Sequence, residues 1–339
     1  MRTGRVRFTG RHAVRARLAL VLLLLPLQVT LAQTLYVGAG GGATPTLSAD
    51  AWLRIEGVRP PAAAPATVSL ELGMGPRLGL GVSTNHSFGP LGNVIFETWL
   101  ALAPHPHGGA AAEGSVAARG VLGPVALRLA LLGFGAPVGA FRPASLASAE
   151  RPHFGGPAAG LQAEVAYRLN RDLILEAKPE LYLTGSGLAL RADFGTRMLR
   201  LFGENELRLG VHAYAAPGFG QAAAAAEAAV TFPRGREPDV TVGLSVGSSP
   251  LGVWPGVRVA LGQRLGAVRV DLDAALQPYR LDLPALRLTG AARLPVGGWL
   301  PSGTQLVIDA AFTSGLGLGD QPGTRARAGA ALAFPVTLR

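Results

Sequence analysis

From residue 33 to the C-terminus the chain repeats one pattern: segments of about ten residues in which apolar and polar side chains alternate, set apart by Gly and Pro. The run from Leu161 to Asn170 is the clearest. Leu161, Ala163, Val165, Tyr167 and Leu169 fall on one side, and Gln162, Glu164, Ala166, Arg168 and Asn170 on the other. A period of two is a strand with one apolar and one polar face. The pattern fills roughly 300 residues, and no amphipathic helix appears that could cover a sheet.

The alternation predicts strands near 33–40, 47–58, 66–75, 77–86, 92–102, 113–122, 125–135, 160–170, 172–183, 188–202, 205–215, 220–232, 239–248, 256–263, 266–277, 285–294, 304–313 and 324–334. That is an all-β chain of about 16–18 strands. One segment offers an alternative. Gln221 to Val230 is mostly alanine, the best helix former, so a short helix competes there with a strand of small residues.

The N-terminus reads as an export signal. Arg2, Arg5, Arg7, Arg11, Arg15 and Arg17 precede the apolar run Leu18 to Leu25, and Thr30-Leu31-Ala32 supplies small residues for cleavage before Gln33. Residues 1–32 are therefore expected to be a signal peptide and 33–339 the mature domain. Without the first 32, the formal charge of +10 falls to +4, because six arginines and no acid leave with them. Lys178 is the only lysine, and arginines alternate with acids instead of forming a basic face, so nucleic acid is not an expected partner.

The chain has no cysteine, which removes disulfides, thiolate metal sites and thiol nucleophiles together. A mean hydropathy of +0.32 with 15% charged residues is too apolar for an ordinary exported soluble domain. A closed barrel with lipid outside resolves this, since only helices and closed barrels satisfy every backbone group in hydrocarbon. A soluble sandwich predicts the same alternation, but strands of ten residues in such number are long for one.

Charge assigns the faces. Arg54, Glu56, Arg128, Glu164, Arg168, Arg191, Asp193, Glu206, Arg208, Arg258, Arg269, Asp271, Asp273 and Asp309 fall opposite the Leu and Val face of their strands. An Arg facing the lipid midplane costs about 2–4 kcal/mol, so these residues are expected to line the lumen. Connections agree in part. Gly123-Pro124, Asn170-Arg171, Gly203 to Asn205 and Leu265-Gly266 are short and share one side by parity, whereas 103–112, 136–159 and 314–323 are long and share the other. Arg59 to Ala66 and Pro295 to Gly303 depart from that rule.

On these strands, over essentially all of 33–339, the chain resembles the bacterial outer-membrane β-barrels and is porin-like in size. The resemblance implies a transmembrane antiparallel barrel in the cell outer membrane, in contact with lipid, that passes small polar solutes. It departs from the pattern in ending Phe334-Pro335-Val336-Thr337-Leu338-Arg339 without a terminal aromatic, and in its 6% aromatic content.

No chemistry-bearing motif stands out. Gly38 to Ala43 matches G-x-G-x-x-A but is followed by another strand instead of the helix that dinucleotide binding needs, so it reads as a glycine-rich turn. His105, His107 and His153 share the two longest outer loops but lack a carboxylate cluster. Asn85-His86-Ser87 cannot pair a nucleophile with its base, because neighbours on a strand point to opposite faces. Asp271 and Asp273 share a face with Arg269 and read as part of a charge lattice. No cofactor, metal or enzymatic activity is expected. Two functions remain: a passive channel whose lumen charges, alone or with an inward-folded 136–159 loop, set the cutoff, or a surface-interaction barrel with a plugged lumen. If the export reading holds, mass spectrometry of the membrane-bound protein will give an N-terminus at Gln33; a mature chain retaining Arg2 to Arg17 would refute it.

Overall fold

The structure is a computed structural model that describes residues 31–43, 47–58, 66–73, 77–89, 92–104, 110–134, 157–201, 203–233, 237–298, 300–315 and 324–338. Its elements are strands β1 (Leu31–Ala43), β2 (Leu47–Val58), β3 (Ala66–Gly73), β4 (Arg77–Ser87), β5 (Asn93–Pro104), β6 (Ala110–Leu122), β7 (Val125–Phe134), β8 (Ala158–Arg168) and β9 (Leu173–Thr184). They continue with β10 (Gly187–Leu201), β11 (Asn205–Ala216), β12 (Gln221–Phe232), β13 (Asp239–Ser249), β14 (Gly252–Leu265), β15 (Val268–Leu276), β16 (Leu286–Pro295), β17 (Gln305–Ser314) and β18 (Arg325–Leu338). A 3-10 turn, Pro217–Phe219, precedes β12.

All 18 strands form one antiparallel sheet in which each pairs with the next in sequence. β18 then pairs with β1 from Leu31↔Leu338 to Ala43↔Ala326, so among the described residues no strand is left as an edge. Among the described residues no helix is long and apolar enough to cross a membrane.

The expected strands recur with small shifts of boundary. Gln221 to Val230 is strand, paired with β11 throughout and with β13 from Ala224 onward, so the alanine propensity for helix yields to two ladders of backbone hydrogen bonds. Gly38 to Ala43 is not a turn. β1 runs on through Ala43, and Gly38 lets the Trp52 ring lie against its backbone, where a Cβ would stand 2.4 Å from Trp52 Cζ2. The 136–159 connection ends sooner than expected because β8 starts at Ala158. The rest of it, with His105, His107, His153 and residues 1–30 of the proposed signal, lies outside the described residues.

Local chemistry explains the short turns. Asn170 Oδ1 accepts from the backbone N–H of Asp172 at 2.8 Å and of Leu173 at 2.9 Å, which closes β8 onto β9. At β10 the pairing shifts between Leu199 and Leu201, and Arg200 takes a φ of 59° there, an extra residue that bends the strand end. Its guanidinium donates to Asp172 on the neighbouring turn.

Register separates the two faces along every strand. Leu127, Leu129 and Leu131 on β7, Val211 on β11, and Leu244 and Val246 on β13 are exposed, Leu244 by 65%. On the other face of the same strands stand Arg128, His212 and Ser245. An exposed belt of Leu and Val around a closed sheet is what lipid requires. Leu127→Arg or Val165→Arg should therefore lower the yield of assembled, outer-membrane-fractionated protein, read as loss of the faster band on an unboiled gel. Insertion equal to that of the unaltered chain would sink the lipid assignment.

Candidate functional site

All fourteen charged residues singled out in the sequence occupy the same face by register, opposite the exposed Leu and Val. Most meet an opposite charge across the ladder. Arg128 NH1 donates to Glu164 Oε1 at 3.3 Å, and Lys178 Nζ reaches the same oxygen at 3.3 Å. Arg197 Nε and Arg208 NH2 lie 2.8 and 3.4 Å from the two Glu176 oxygens, and Arg197 also reaches Glu206 at 3.8 Å. Arg258 donates to Asp273 at 2.7 Å, and Arg269 to Asp271 at 3.1 Å, so the two aspartates serve separate arginines.

Others depart from simple pairing. Arg54 stacks over the Trp99 ring at 5.4 Å. Arg168 donates to the Arg171 carbonyl at the turn and so belongs to the rim. Asp309 is 2% exposed beside Gly329, where a Cβ would stand 3.2 Å from its Oδ1. Glu56 takes its place by register, opposite Thr34.

The centre of the lattice is a connection that alternation cannot reveal. Between β15 and β16 the chain runs Gln277-Pro278-Tyr279-Arg280-Leu281-Asp282-Leu283-Pro284-Ala285, and Tyr279, Asp282, Leu283 and Ala285 are at most 3% exposed. Its base is closed by Gln277 N–H donating to Ala285 O at 2.7 Å and Arg287 NH2 donating to Gln277 Oε1 at 2.6 Å. The loop leaves β15 yet meets β9, β10, β11 and β13. In a closed ring it can reach β10 while burying Asp282 only by turning inward.

Three contacts seat it. The Tyr279 ring lies on β13, where a Cβ on Gly247 would fall 2.2 Å from it, and its hydroxyl donates to Ser245 Oγ at 2.8 Å. Leu281 packs on a buried cluster of Tyr182, Ala189, Tyr214 and Ala216. Asp282 accepts from Arg280 Nε at 2.8 Å and NH2 at 2.6 Å, and faces Arg191 Nε at 3.5 Å and His212 Nε2 at 3.6 Å. Burial alone would push the Asp282 carboxyl up; the Arg280 guanidinium and His212 outweigh it and hold the group well below the usual carboxylate range.

The wall behind the loop is a continuous polar chain. His212 Nδ1 lies 2.6 Å from Asp193 Oδ1, and Arg191 reaches Asp193 at 3.4 Å and Glu180 at 3.6 Å. Tyr182 OH donates to Glu180 at 2.8 Å and accepts from Gln162 Nε2 at 2.8 Å. Between loop and lattice lies a cavity of about 850 Å³ whose lining includes Tyr279 and Arg280 of the loop and Arg128, Glu164, Lys178 and Glu227 of the wall.

Reading the sequence by charge and alternation missed Glu176, Lys178, Glu180, Arg197 and His212, although all five continue the period of two on β9, β10 and β11. It also looked for an inward loop in 136–159, whereas the inward loop among the described residues is Gln277–Ala285. Pro278 and Pro284 bracketing Tyr-Arg-Leu-Asp-Leu were the available signal, since two buried-type leucines are out of place in a solvated connection.

No protein-family model matches the chain, and no curated protein matches it in sequence. In three dimensions it is similar to OpdO of Pseudomonas aeruginosa, with a TM-score of 0.55 and 11% identity over 91% of this chain and 97% of that one. A structure of OccK3 (OpdO) from the same organism gives 0.54 and 10% over 91% and 96%. OccK10 (OpdN), also from that organism, gives 0.51 and 9% over 92% and 100%. The likeness shows the fold, an all-β antiparallel barrel of the outer-membrane porin kind.

The seat of the loop can be tested at Gly247. Gly247→Leu should lift Tyr279 from β13 and speed amide hydrogen exchange at Gln277 and Arg280 by about tenfold or more, with the unboiled gel band unchanged. Exchange as slow as in the unaltered chain would show that the ring is not held there.

Proposed function

We propose that the chain is an outer-membrane channel through which small polar solutes diffuse passively, exported by residues 1–32 and embedded in lipid by its Leu and Val face. The fourteen charged residues named from the sequence, joined by Glu176, Lys178, Glu180 and Arg197, line that route. The observation that carries the reading is the cavity of about 850 Å³ beside the loop. The loop fills one side of the barrel against β9 to β13, while space persists between it and Arg128 and Glu164 on β7 and β8. A volume of this order accommodates a small solute. Charges of both signs around it give a transverse field that orients polar solutes and disfavours apolar ones.

The second reading, a plugged barrel that acts through its surface, draws on the burial of the loop and the pairing of most lumen charges. Pairing alone does not close a pore, since hydrated ions pass along paired walls.

Purified protein in a planar bilayer should give discrete conductance steps. Arg128→Gln or Glu164→Gln should shift cation-to-anion selectivity in opposite directions, each leaving the unboiled gel band intact. Correctly folded protein that adds no conductance would overturn the channel in favour of the plugged barrel.

A further inference from the structure

We propose that the Gln277–Ala285 loop is a movable constriction and that the imidazolium of His212, held between Asp193 on the wall and Asp282 on the loop, is the latch that keeps it in place. The consequence for flow rests on the channel reading above; the latch itself can be read without flow.

The geometry asks for a doubly protonated ring. Nδ1 lies 2.6 Å from Asp193 Oδ1 and Nε2 lies 3.6 Å from Asp282 Oδ1, so each ring nitrogen faces a carboxylate oxygen. A neutral imidazole has one N–H and one lone pair, and would turn the lone pair toward one of those carboxylates; only the cation attracts both. Other charged and titratable groups face this ring from each packed element. β10 brings Arg191, β9 brings Lys178 opposite Asp193 in register and Glu180 beyond Arg191, and the loop brings Arg280 and Tyr279. β12 brings Glu227, opposite Gly210, and Tyr214 follows on β11 itself. On the loop, Asp282 stays ionised well into acid because Arg280 and His212 outweigh its burial, so the charge that can change between the two carboxylates is that of the imidazole.

The loop can leave without stranding a buried charge. Asp282 carries its own bidentate partner, Arg280, on the same loop. On the wall, Asp193 keeps Arg191, and Arg191 keeps Glu180. Detachment would cost far more if the pairs crossed from loop to wall alone, since an unpartnered buried charge is the expensive species. As built, the ties across the gap are His212 and Arg191 to Asp282, Tyr279 to Ser245, and the packing of Leu281. With the histidine protonated all hold. As pH rises and the ring loses its second proton, the tie that joins Asp193 and Asp282 through one cation is lost, and the loop is held only by Arg191, Tyr279 and Leu281.

The absence of cysteine in the chain allows a direct reading. A thiol placed by Leu281→Cys, partly buried against Tyr182 and Tyr214, is probed with a membrane-impermeant maleimide and normalised to Ser186→Cys in an exposed turn, which removes the pH dependence that the two thiolates share, while the His212→Gln background removes what is left. The normalised rate should rise about tenfold between about pH 5.5 and 8.5. Adding His212→Gln should give the high value at both pH values, and so should Asp282→Asn, which serves if the first variant fails to assemble. A flat rate in the unaltered background, or an unchanged pH dependence with His212→Gln, overturns the latch. Bilayer conductance measured on the same proteins should rise over the same range. PH-dependent labelling without conductance at any pH upholds the latch and removes the channel; conductance with flat labelling does the reverse.

Discussion

The constraint on which everything else depends is that hydrocarbon offers no partner to a backbone N–H or C=O. A sheet that meets it must close, and here closure is made by β18 pairing with β1 from Leu31↔Leu338 to Ala43↔Ala326, of which the eleven pairs from Gln33↔Val336 onward remain after the proposed cleavage at Ala32. Once closed, the sheet has only an outside and an inside, and the pleat sends alternate residues to each. Where lipid surrounds such a sheet it dictates the outer set and leaves the inner set free. That freedom is what the charges occupy.

Inside, charges that share one face of neighbouring strands form a lattice. Glu164 stands between Arg128 and Lys178, Glu176 between Arg197 and Arg208, and Arg191 among Glu180, Asp193 and Asp282. Sharing of this kind lets each ion satisfy more than one partner, which isolated surface pairs do not achieve. It also spreads any single loss over several neighbours, so neutralising Arg128 or Glu164 disturbs the field before it disturbs the fold.

The wall was legible in the sequence because a closed antiparallel barrel is nearly a one-dimensional object: each strand's period of two determines its faces, and each turn hands on to the next strand. Even β12, where alanine argued for helix, followed its flanking Gly220 and Pro233 and its neighbours' ladders. Gly38 to Ala43 misled because glycine marks turns and also marks places where a ring lies flat on a strand, as Trp52 does on Gly38. Nothing local distinguishes the two. The charges on β9 and β10 are of another kind: Glu176, Lys178, Glu180 and Arg197 obey the period of two and are legible from it.

The loop between β15 and β16 was illegible for a deeper reason. Its residues have no period, and its partners are distant: Tyr279 answers Ser245 and Gly247, Leu281 answers Tyr182 and Tyr214, and Asp282 answers Arg191 and His212. Every one of those positions has an adequate explanation within its own strand. Gly247 and Gly256 read as small residues on a polar face, and His212 as one more polar residue of β11. Only when the ring is closed do they become the floor under Tyr279 and the far side of an ion pair with Asp282. A barrel wall can therefore be inferred strand by strand, whereas what stands inside it is specified jointly by residues that alternation treats as interchangeable. For the same reason the wall and the loop can change independently, since the ladder that holds the barrel together passes through none of the contacts that hold the loop.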